Sequence, residues 1–196
     1  MSNVQEFESD IILPPSNLPN QEPPLETNLH KQQMILLIES LEWCFRKRKD
    51  FYISGNQTIY YKYPQESDDL IGADFFVVLE TEREPRESWV VWAEDGKYPN
   101  VIVELLSDRT ALIDKGLKKE FYQNVFRVPD YFWFNPQTLE FAGFHLVSTK
   151  YKPLEPNSQG WLWSQQLNLY LGIDKQQLRF FTPEKQLVKL PGEIDL

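Results

Sequence analysis

The sequence has a single cysteine, Cys44, in 196 residues, and no apolar run of membrane-spanning length. One cysteine excludes a disulfide within the chain and a zinc site built from cysteines. Cys44 falls on the apolar face of a predicted helix, where we expect a small buried hydrophobe. The N-terminus lacks the basic-then-apolar pattern of a secretory signal, and no segment is typical of a transmembrane helix. We therefore expect a cytoplasmic protein without membrane contact.

Basic residues are in the minority, since 20 lysines and arginines stand against 29 acids, for a formal net charge of −9. Nucleic-acid binding relies largely on phosphate neutralisation, so this balance counts against a nuclease, although a local basic patch can form on an acidic protein. The dense basic cluster is residues 46–49. It either complements the dipole at a helix C-terminus or binds phosphate. A glycine-rich phosphate loop and internal repeats are both absent from the sequence.

The apolar pattern divides the chain into an arm, one domain and a tail. Residues 1–25 contain five prolines among polar and acidic residues, which predicts an extended or disordered arm. Residues 26–190 suit a single α/β domain with a sizeable core, and residues 191–196 form a tail. Residues 27–49 predict a helix. Residues 51–63 alternate around a Gly-Asn pair, which predicts a strand, a tight turn and a second strand.

The most informative segment is the apolar run at residues 101–106, Val-Ile-Val-Glu-Leu-Leu. Its β-branched and aliphatic residues predict a buried central strand. An ionised Glu104 in that strand costs several kcal/mol unless it has a partner. Glu104 is therefore protonated, paired with a cation, or bound to a metal.

Two neighbouring segments offer such partners. Residues 72–79 predict a second short apolar strand, with Asp74 where it leaves its turn. The helical pattern that follows the central strand carries three polar residues at four-residue spacing, and hence on one face: Asp114, Lys118 and Tyr122. Two carboxylates beside a lysine are what metal-dependent phosphodiester hydrolysis requires. The acids hold Mg²⁺, while a cation orients the attacking water and stabilises developing negative charge.

Each residue also has a simpler explanation when it is taken alone. Asp74 is typical of a turn, and Lys118 of a helical partner for an acid four residues earlier. Glu104 and Lys118 together would also make a buried structural ion pair, which predicts no metal binding. Glu26 and His30, four residues apart, match a metal pair, but a surface pair is the expected arrangement.

Four motifs occur along the chain in a characteristic order. They are ADFFVV at residues 73–78, YPNVIVELLS at 98–107, Thr110 followed by the three spaced polar residues, and VPDYFWFNP at 128–136. Over roughly residues 26–188 the chain resembles the bacterial Uma-two family of putative restriction endonucleases, a branch of the PD-(D/E)XK nuclease superfamily. It departs from the superfamily pattern at Leu106, where a lysine is usual. Other departures are Ala73 instead of proline, Asn100 instead of aspartate, and Asp108-Arg109 instead of a proline, and none of them removes an expected ligand.

The resemblance implies a restriction-endonuclease-like α/β core, in which helices flank a central mixed β-sheet, and the C-terminal pattern adds extra β-hairpins. It implies that Asp74, Glu104 and the carbonyl of Leu105 bind Mg²⁺ or Mn²⁺. Lys118 then matches a catalytic lysine that has moved from strand to helix. The residues expected to support it are Asp114 and Tyr122.

The resemblance also implies a substrate and an assembly. The expected substrate is DNA, and cutting both strands requires two sites, which implies a homodimer. The alternative is a non-catalytic module, derived from a nuclease fold, that binds nucleic acid or protein. The net charge of −9 favours a protein partner for such a module.

Overall fold

The computed structural model describes residues 14–63 and 70–194. These residues form helix α1 (Asn28–Cys44), a second helical segment α2 (residues 111–126), and 3₁₀ turns at Val91–Ala93 and Pro191–Glu193. They also form the following strands: β1 (Phe51–Ser54), β2 (Gln57–Tyr60), β3 (Leu70–Ala73), β4 (Phe75–Leu79), β5 (Trp89–Val90), β6 (Val101–Leu105), β7 (Asp130–Phe134), β8 (Phe141–Val147), β9 (Lys150–Pro153), β10 (Leu162–Ser164), β11 (Leu169–Asp174) and β12 (Gln177–Phe181).

The main sheet has six strands in the order β1-β4-β6-β7-β8-β9. Strands β6 and β7 run parallel, and the other neighbouring pairs run antiparallel. The parallel pair needs a crossover, which α2 provides. The predicted α/β class with a central mixed sheet is therefore confirmed.

Two three-stranded sheets flank the main one. The first has the order β3-β2-β5, and the second is the antiparallel meander β10-β11-β12 near the C-terminus. The predicted C-terminal hairpins are confirmed, and the one formed by β7 and β8 extends the main sheet itself. No helix in the described part of the chain is long and apolar enough to cross a membrane.

The core has two layers because residues along each strand alternate between the faces of the main sheet. On one face, Val101, Val103 and Leu105 of β6 pack with α1 and the C-terminal meander. On the other face, Ile102 and Leu106 pack with α2 and with residues of the β3-β2-β5 sheet. Glu104 lies between these two in sequence, so its side chain projects towards α2.

Several local predictions were wrong in detail. Helix α1 ends at Cys44, so the basic residues 46–49 follow the helix instead of forming its last turn. The strand, turn and strand predicted for residues 51–63 are present as β1 and β2, although the two do not pair, because β1 joins the main sheet and β2 joins the small one. Residues 72–79 form two strands that belong to different sheets, since the chain changes direction at Asp74.

The predicted arm lies partly outside the described residues, since residues 1–13 are not among them. Residues 14–25 form no helix or strand, and hydrogen bonds fasten them to the β3-β2-β5 sheet and its surroundings. Tyr60 donates to the carbonyl of Pro19 at 2.6 Å, the Thr58 amide donates to Asn20 Oδ1 at 2.9 Å, and Ser88 donates to a carbonyl of the arm at 2.6 Å. This part of the arm therefore packs against its own chain.

Candidate active site

Asp74 is the single residue between β3 and β4, at the point where the chain passes from the small sheet into the main one. Its Oδ2 accepts a hydrogen bond from the Leu105 amide at 2.8 Å, and its own amide donates to Glu104 Oε2 over 3.4 Å. These bonds tie the start of β4 to the end of β6. The two predicted acids are therefore neighbours.

Glu104 lies one residue before the end of β6 and has no solvent exposure. Its Oε1 accepts the hydroxyl hydrogen of Tyr122 at 2.6 Å and a hydrogen of Lys118 Nζ at 3.1 Å. The sequence leaves open what partner the buried Glu104 has. In the structure, its partners are a cation and a hydroxyl from α2.

Helix α2 supplies these groups from an unusual backbone. Ser107 and Thr110 bond to each other's amides where the segment begins, and it ends where Arg127 takes a left-handed φ of 52°. Two π-helical turns, Asp114–Lys118 and Tyr122–Phe126, alternate with α-helical turns. Such turns are rare and often occur at functional sites.

Lys118 lies at the centre of a group that we call the acid cluster: Asp74, Glu104, Asp114, Lys118 and Tyr122. Its Nζ lies 3.1 Å from Glu104 Oε1, 3.4 Å from Asp114 Oδ1 and 3.1 Å from the carbonyl of Gly72. The Tyr122 hydroxyl also lies 3.5 Å from that carbonyl. The structure thus brings together the five side chains that the sequence singled out, and the backbone of Leu105 with them.

Burial is the main reason why the pKa values of the acids in the cluster are raised. Burial raises the pKa of Glu104 to about 8, and the Asp74 charge adds to the effect, while Lys118 and the Tyr122 hydrogen bond oppose it. Burial also raises the pKa of Asp74, against the opposing effect of Lys118. Burial and the Glu104 charge raise the pKa of Asp114 to about 6.

Lys118 itself stays charged. Burial lowers the pKa of its ammonium, but the charges of Glu104, Asp114 and Asp74 outweigh burial and raise that pKa above its ordinary value. A lysine with a raised pKa donates hydrogen bonds and positive charge, and it does not act as a base near neutral pH. Its chemical use is therefore electrostatic.

Two carboxyl groups of the cluster, those of Asp74 and Glu104, provide oxygen donors of the kind that a divalent cation prefers. Glu104 and Asp74 are hard oxygen ligands, and a dication would stabilise their ionised forms against the effect of burial, which raises their pKa values. The N–H and C=O of one strand residue point to the same strand edge, so the Leu105 carbonyl faces the edge where its amide meets Asp74. Among residues 14–63 and 70–194, no group of three or more His, Cys, Asp or Glu side chains is placed to hold a metal. A bound ion would therefore depend on backbone oxygen and water besides the two acids.

Two further residues lie beside the cluster: Glu22, which the sequence did not single out, and His30, which it paired with Glu26. His30 is buried, in contrast to the expected surface pair: Nε2 donates to the Leu106 carbonyl at 2.8 Å, and Nδ1 lies 2.7 Å from Thr27 Oγ1. It thereby ties the start of α1 to the chain just after Glu104. Glu26, its predicted partner, instead lies 3.4 Å from Arg109.

Glu22 of the arm lies against the backbone of Gly72, with Oε1 3.3 Å from Thr58 Oγ1. Burial raises the pKa of Glu22, and the charges of Lys118 and Glu104 act on it as well. The arm thus adds another acid beside the cluster. The only local signal for it was an acid in a proline-rich segment, which has no specificity.

The basic residues 46–49 lie far from these acids. They follow the C-terminus of α1, whose Phe45 packs on Phe51 of β1, whereas His30 at the other end of α1 reaches the acid cluster. Arg48 pairs with Asp50 at 3.0 Å, and the Arg46 guanidinium stacks on Trp43. This cluster is therefore no part of the candidate site.

Comparison with known proteins identifies a family and solved structures of similar fold. A family model described as Uma2, putative restriction endonuclease, matches residues 19–180. A crystal structure of a putative nuclease belonging to DUF820 from Anabaena variabilis is similar, with a TM-score of 0.53 and 9% sequence identity over 74% of this chain and 76% of that chain. At this identity the likeness shows the fold alone. No curated protein matches the sequence.

Proposed function

Because the chain belongs to the Uma2 family of putative restriction endonucleases, we propose that it is a metal-dependent endonuclease that hydrolyses phosphodiester bonds of DNA. One observation carries the proposal: the fully buried Glu104 meets Asp74, Lys118 and Tyr122 at the point where β6 ends. A fold needs no such concentration of buried charge for stability, because apolar residues of similar volume serve as well.

Asp74, Glu104 and the carbonyl of Leu105 would hold Mg²⁺, or Mn²⁺ in its place. The ion would neutralise phosphate charge and lower the pKa of a bound water. To hold the ion, both acids must be ionised. Their raised pKa values oppose ionisation in the metal-free protein, and the charge of a bound cation would favour it. Asp74 is held for that task by the Leu105 amide, and Glu104 by the Tyr122 hydroxyl.

Lys118 would orient the attacking water and stabilise the negative charge that develops on the phosphate. Its permanent charge suits this role, and its contact with the Gly72 carbonyl fixes the ammonium at the edge of the acid pair. Asp114 orients Lys118 through the ion pair at 3.4 Å. Tyr122, in contrast, acts mainly on Glu104.

Two strands of a duplex require two such sites, so we propose that the protein works as a homodimer in the cytoplasm. The competing function is a non-catalytic module that binds nucleic acid or protein. The formal charge of −9 favours a protein partner for such a module. The two functions differ in whether the acid cluster performs turnover.

Cleavage of plasmid and short duplex DNA tests the proposal, with Mg²⁺ or Mn²⁺ at low salt. The comparison is between the wild type, Glu104→Gln, and Glu39→Gln, which removes an exposed acid of α1. Metal-dependent nicking by the wild type and Glu39→Gln, with none by Glu104→Gln, supports the endonuclease. Equal nicking by all three proteins places the activity elsewhere, for instance in a contaminant. If the wild type neither cuts DNA nor binds either metal in calorimetry, the non-catalytic module is correct.

A further inference from the structure

Trp133 lies beside Glu104 on the same face of the main sheet, because the two residues are register partners on the parallel strands β6 and β7. The indole is 8% exposed, and its Nε1–H is buried without a hydrogen-bond partner among the described residues. Buried donors in native proteins are almost always satisfied by protein, water or ligand. This N–H therefore calls for an acceptor that the described part of the chain does not supply.

Two lysines of α2 lie over the same indole. Nζ of Lys115 is 6.0 Å and Nζ of Lys119 is 5.8 Å from the centroid of the Trp133 ring, and Nζ of Lys119 is also 3.8 Å from the centroid of Phe144. Lys115 pairs with Glu140 at 2.5 Å. Lys119 forms no ion pair with a carboxylate in residues 14–63 and 70–194. Burial lowers the pKa of its ammonium, so an anion would stabilise its charge.

These groups lie next to the candidate active site. Lys115 and Lys119 each follow a member of the acid cluster by one residue, so they form a neighbouring row on α2. Each DNA strand carries a phosphate about every 3.4 Å of duplex axis, so a strand with one phosphate at Lys118 has further phosphates available to neighbouring cations. The acidic protein thus has a local set of cations on the side of the sheet where the acids lie.

We propose that Lys119, Lys115 and the indole N–H of Trp133 bind a backbone phosphate of DNA next to the phosphate that is cleaved. The inference rests on the proposed endonuclease function and extends it to the substrate's backbone. A phosphate oxygen accepts the Trp133 hydrogen, and the two ammonium groups neutralise the phosphate. Both ammonium groups end long flexible stems, which lift from the indole as the phosphate enters.

Two variants separate the parts of this subsite. Trp133→Phe keeps an aromatic ring and removes the donor, whereas Lys119→Gln removes the charge. Lys189→Gln is the matched control, because Lys189 is an exposed cation that follows Val188 near the C-terminal meander. Binding of a fluorescein-labelled DNA duplex of about 20 base pairs is measured by anisotropy, with Ca²⁺ in place of Mg²⁺, between about 50 and 200 mM salt.

Each variant has its own expected signature. Lys119→Gln weakens binding and reduces the slope of log affinity against log salt by about 1. Trp133→Phe weakens binding about tenfold and leaves the slope unchanged, because it removes a neutral donor to a charged acceptor. Lys189→Gln changes neither quantity. Wild-type affinity and slope in both subsite variants would overturn the proposal, as would a wild type that does not bind the duplex.

Cleavage, measured separately with Mg²⁺, distinguishes this proposal from the proposed function. If the wild type cuts DNA and the subsite variants bind it like the wild type, the subsite is wrong and the endonuclease stands. If the wild type binds DNA with the expected variant effects but does not cut it, the subsite stands and the endonuclease falls. Thermal unfolding of each variant shows whether weaker binding reflects a damaged fold.

Discussion

Tyr122 donates its hydroxyl hydrogen to Glu104 over 2.6 Å, and neither side chain has any solvent exposure. A neutral hydroxyl and the Lys118 ammonium share one carboxylate oxygen, so the acid is satisfied on the α2 side. The other oxygen faces Asp74. The protein therefore holds one oxygen of Glu104 in place, while the other oxygen lies next to a second acid. A metal-binding carboxylate requires such an orienting hydrogen bond.

Tyr122→Phe tests the hydrogen bond between Tyr122 and Glu104. The substitution removes a buried hydrogen bond to an acid, so we expect a loss of about 1–3 kcal/mol in the free energy of unfolding, measured with urea. The hydrogen bond also lowers the pKa of Glu104, so its loss should shift metal binding, followed by calorimetry, to higher pH. Tyr151→Phe is the control, because it removes a buried hydroxyl that donates to the Val128 carbonyl at 2.8 Å. It should destabilise the fold without shifting metal binding; equal shifts in both variants would contradict the assigned role of Tyr122.

The acid cluster predicts how stability depends on pH in the metal-free protein. Glu104 ionises above its ordinary pKa of 4.5 in the unfolded chain but only near pH 8 in the folded protein, so folding takes up a proton between these values. Stability is therefore highest below about pH 5 and is lost as the pH rises towards about 8. Asp114, whose pKa is raised to about 6, acts in the same direction. The raised pKa of Lys118 contributes stability throughout this window.

Urea unfolding in EDTA at several pH values checks this dependence. Glu104→Gln has no proton to lose, so its stability should fall less between about pH 5 and pH 8. Mg²⁺ binds the ionised acids, so it should stabilise the wild type more at the upper end of this range than at the lower. A wild-type profile as flat as that of Glu104→Gln would contradict the raised pKa of Glu104.

The sequence predicted the site because its signals are local. An acid in an apolar run and three polar residues at four-residue spacing are visible without the fold, and the structure places Asp74, Glu104, Asp114, Lys118 and Tyr122 together. Their roles remain predictions, because placement does not establish turnover. The apolar runs predicted the buried strands, and the family resemblance implied that these strands form a central mixed sheet.

The sequence did not predict the contacts that depend on backbone groups far away along the chain. The contact of Lys118 with the Gly72 carbonyl involves a group that every residue carries, so no residue type marks it. The strand, turn and strand predicted for residues 51–63 are present, but strand alternation does not specify the partner, so it did not show that β1 and β2 join different sheets. His30 was predicted to lie on the surface but is buried, because the four-residue spacing from Glu26 does not show which other parts of the chain pack over a helical residue.

Lys118→Met separates a catalytic site from a structural ion pair. Removing one partner of a buried pair should cost about 3–5 kcal/mol in the free energy of unfolding, and less at low pH, where the acids are protonated. Both interpretations share this loss. The catalytic site further predicts that DNA cleavage falls at least about 100-fold while calorimetric metal binding persists, because Lys118 is not a ligand. Lys189→Met should change none of these quantities, and a wild type that binds no metal would support the structural pair.

Gly72→Ala tests whether the arm packs against the site. A Cβ at Gly72 would collide with the Glu22 carboxylate, and the arm's contact with Thr58 would be strained or lost. Because the carboxylate ends a flexible side chain that can turn away, we expect a loss of about 0.5–1.5 kcal/mol in the free energy of unfolding, the size of one hydrogen bond, together with faster proteolysis within residues 14–26. Gly116→Ala is the control, because a Cβ there meets nothing within 4 Å, and it should stabilise the helical segment by about 0.5–1 kcal/mol.

A double-mutant cycle identifies the cause of that loss. In Glu22→Ala protein the colliding carboxylate is gone, so adding Gly72→Ala should cost less than about 0.5 kcal/mol. If Gly72→Ala costs the same in both backgrounds, the strain arises in the backbone between β3 and β4 and not from the arm. A coupling between the two positions would show that the arm's acid and the carbonyl that binds Lys118 belong to one packed unit, because Gly72 contacts the acid and itself carries that carbonyl.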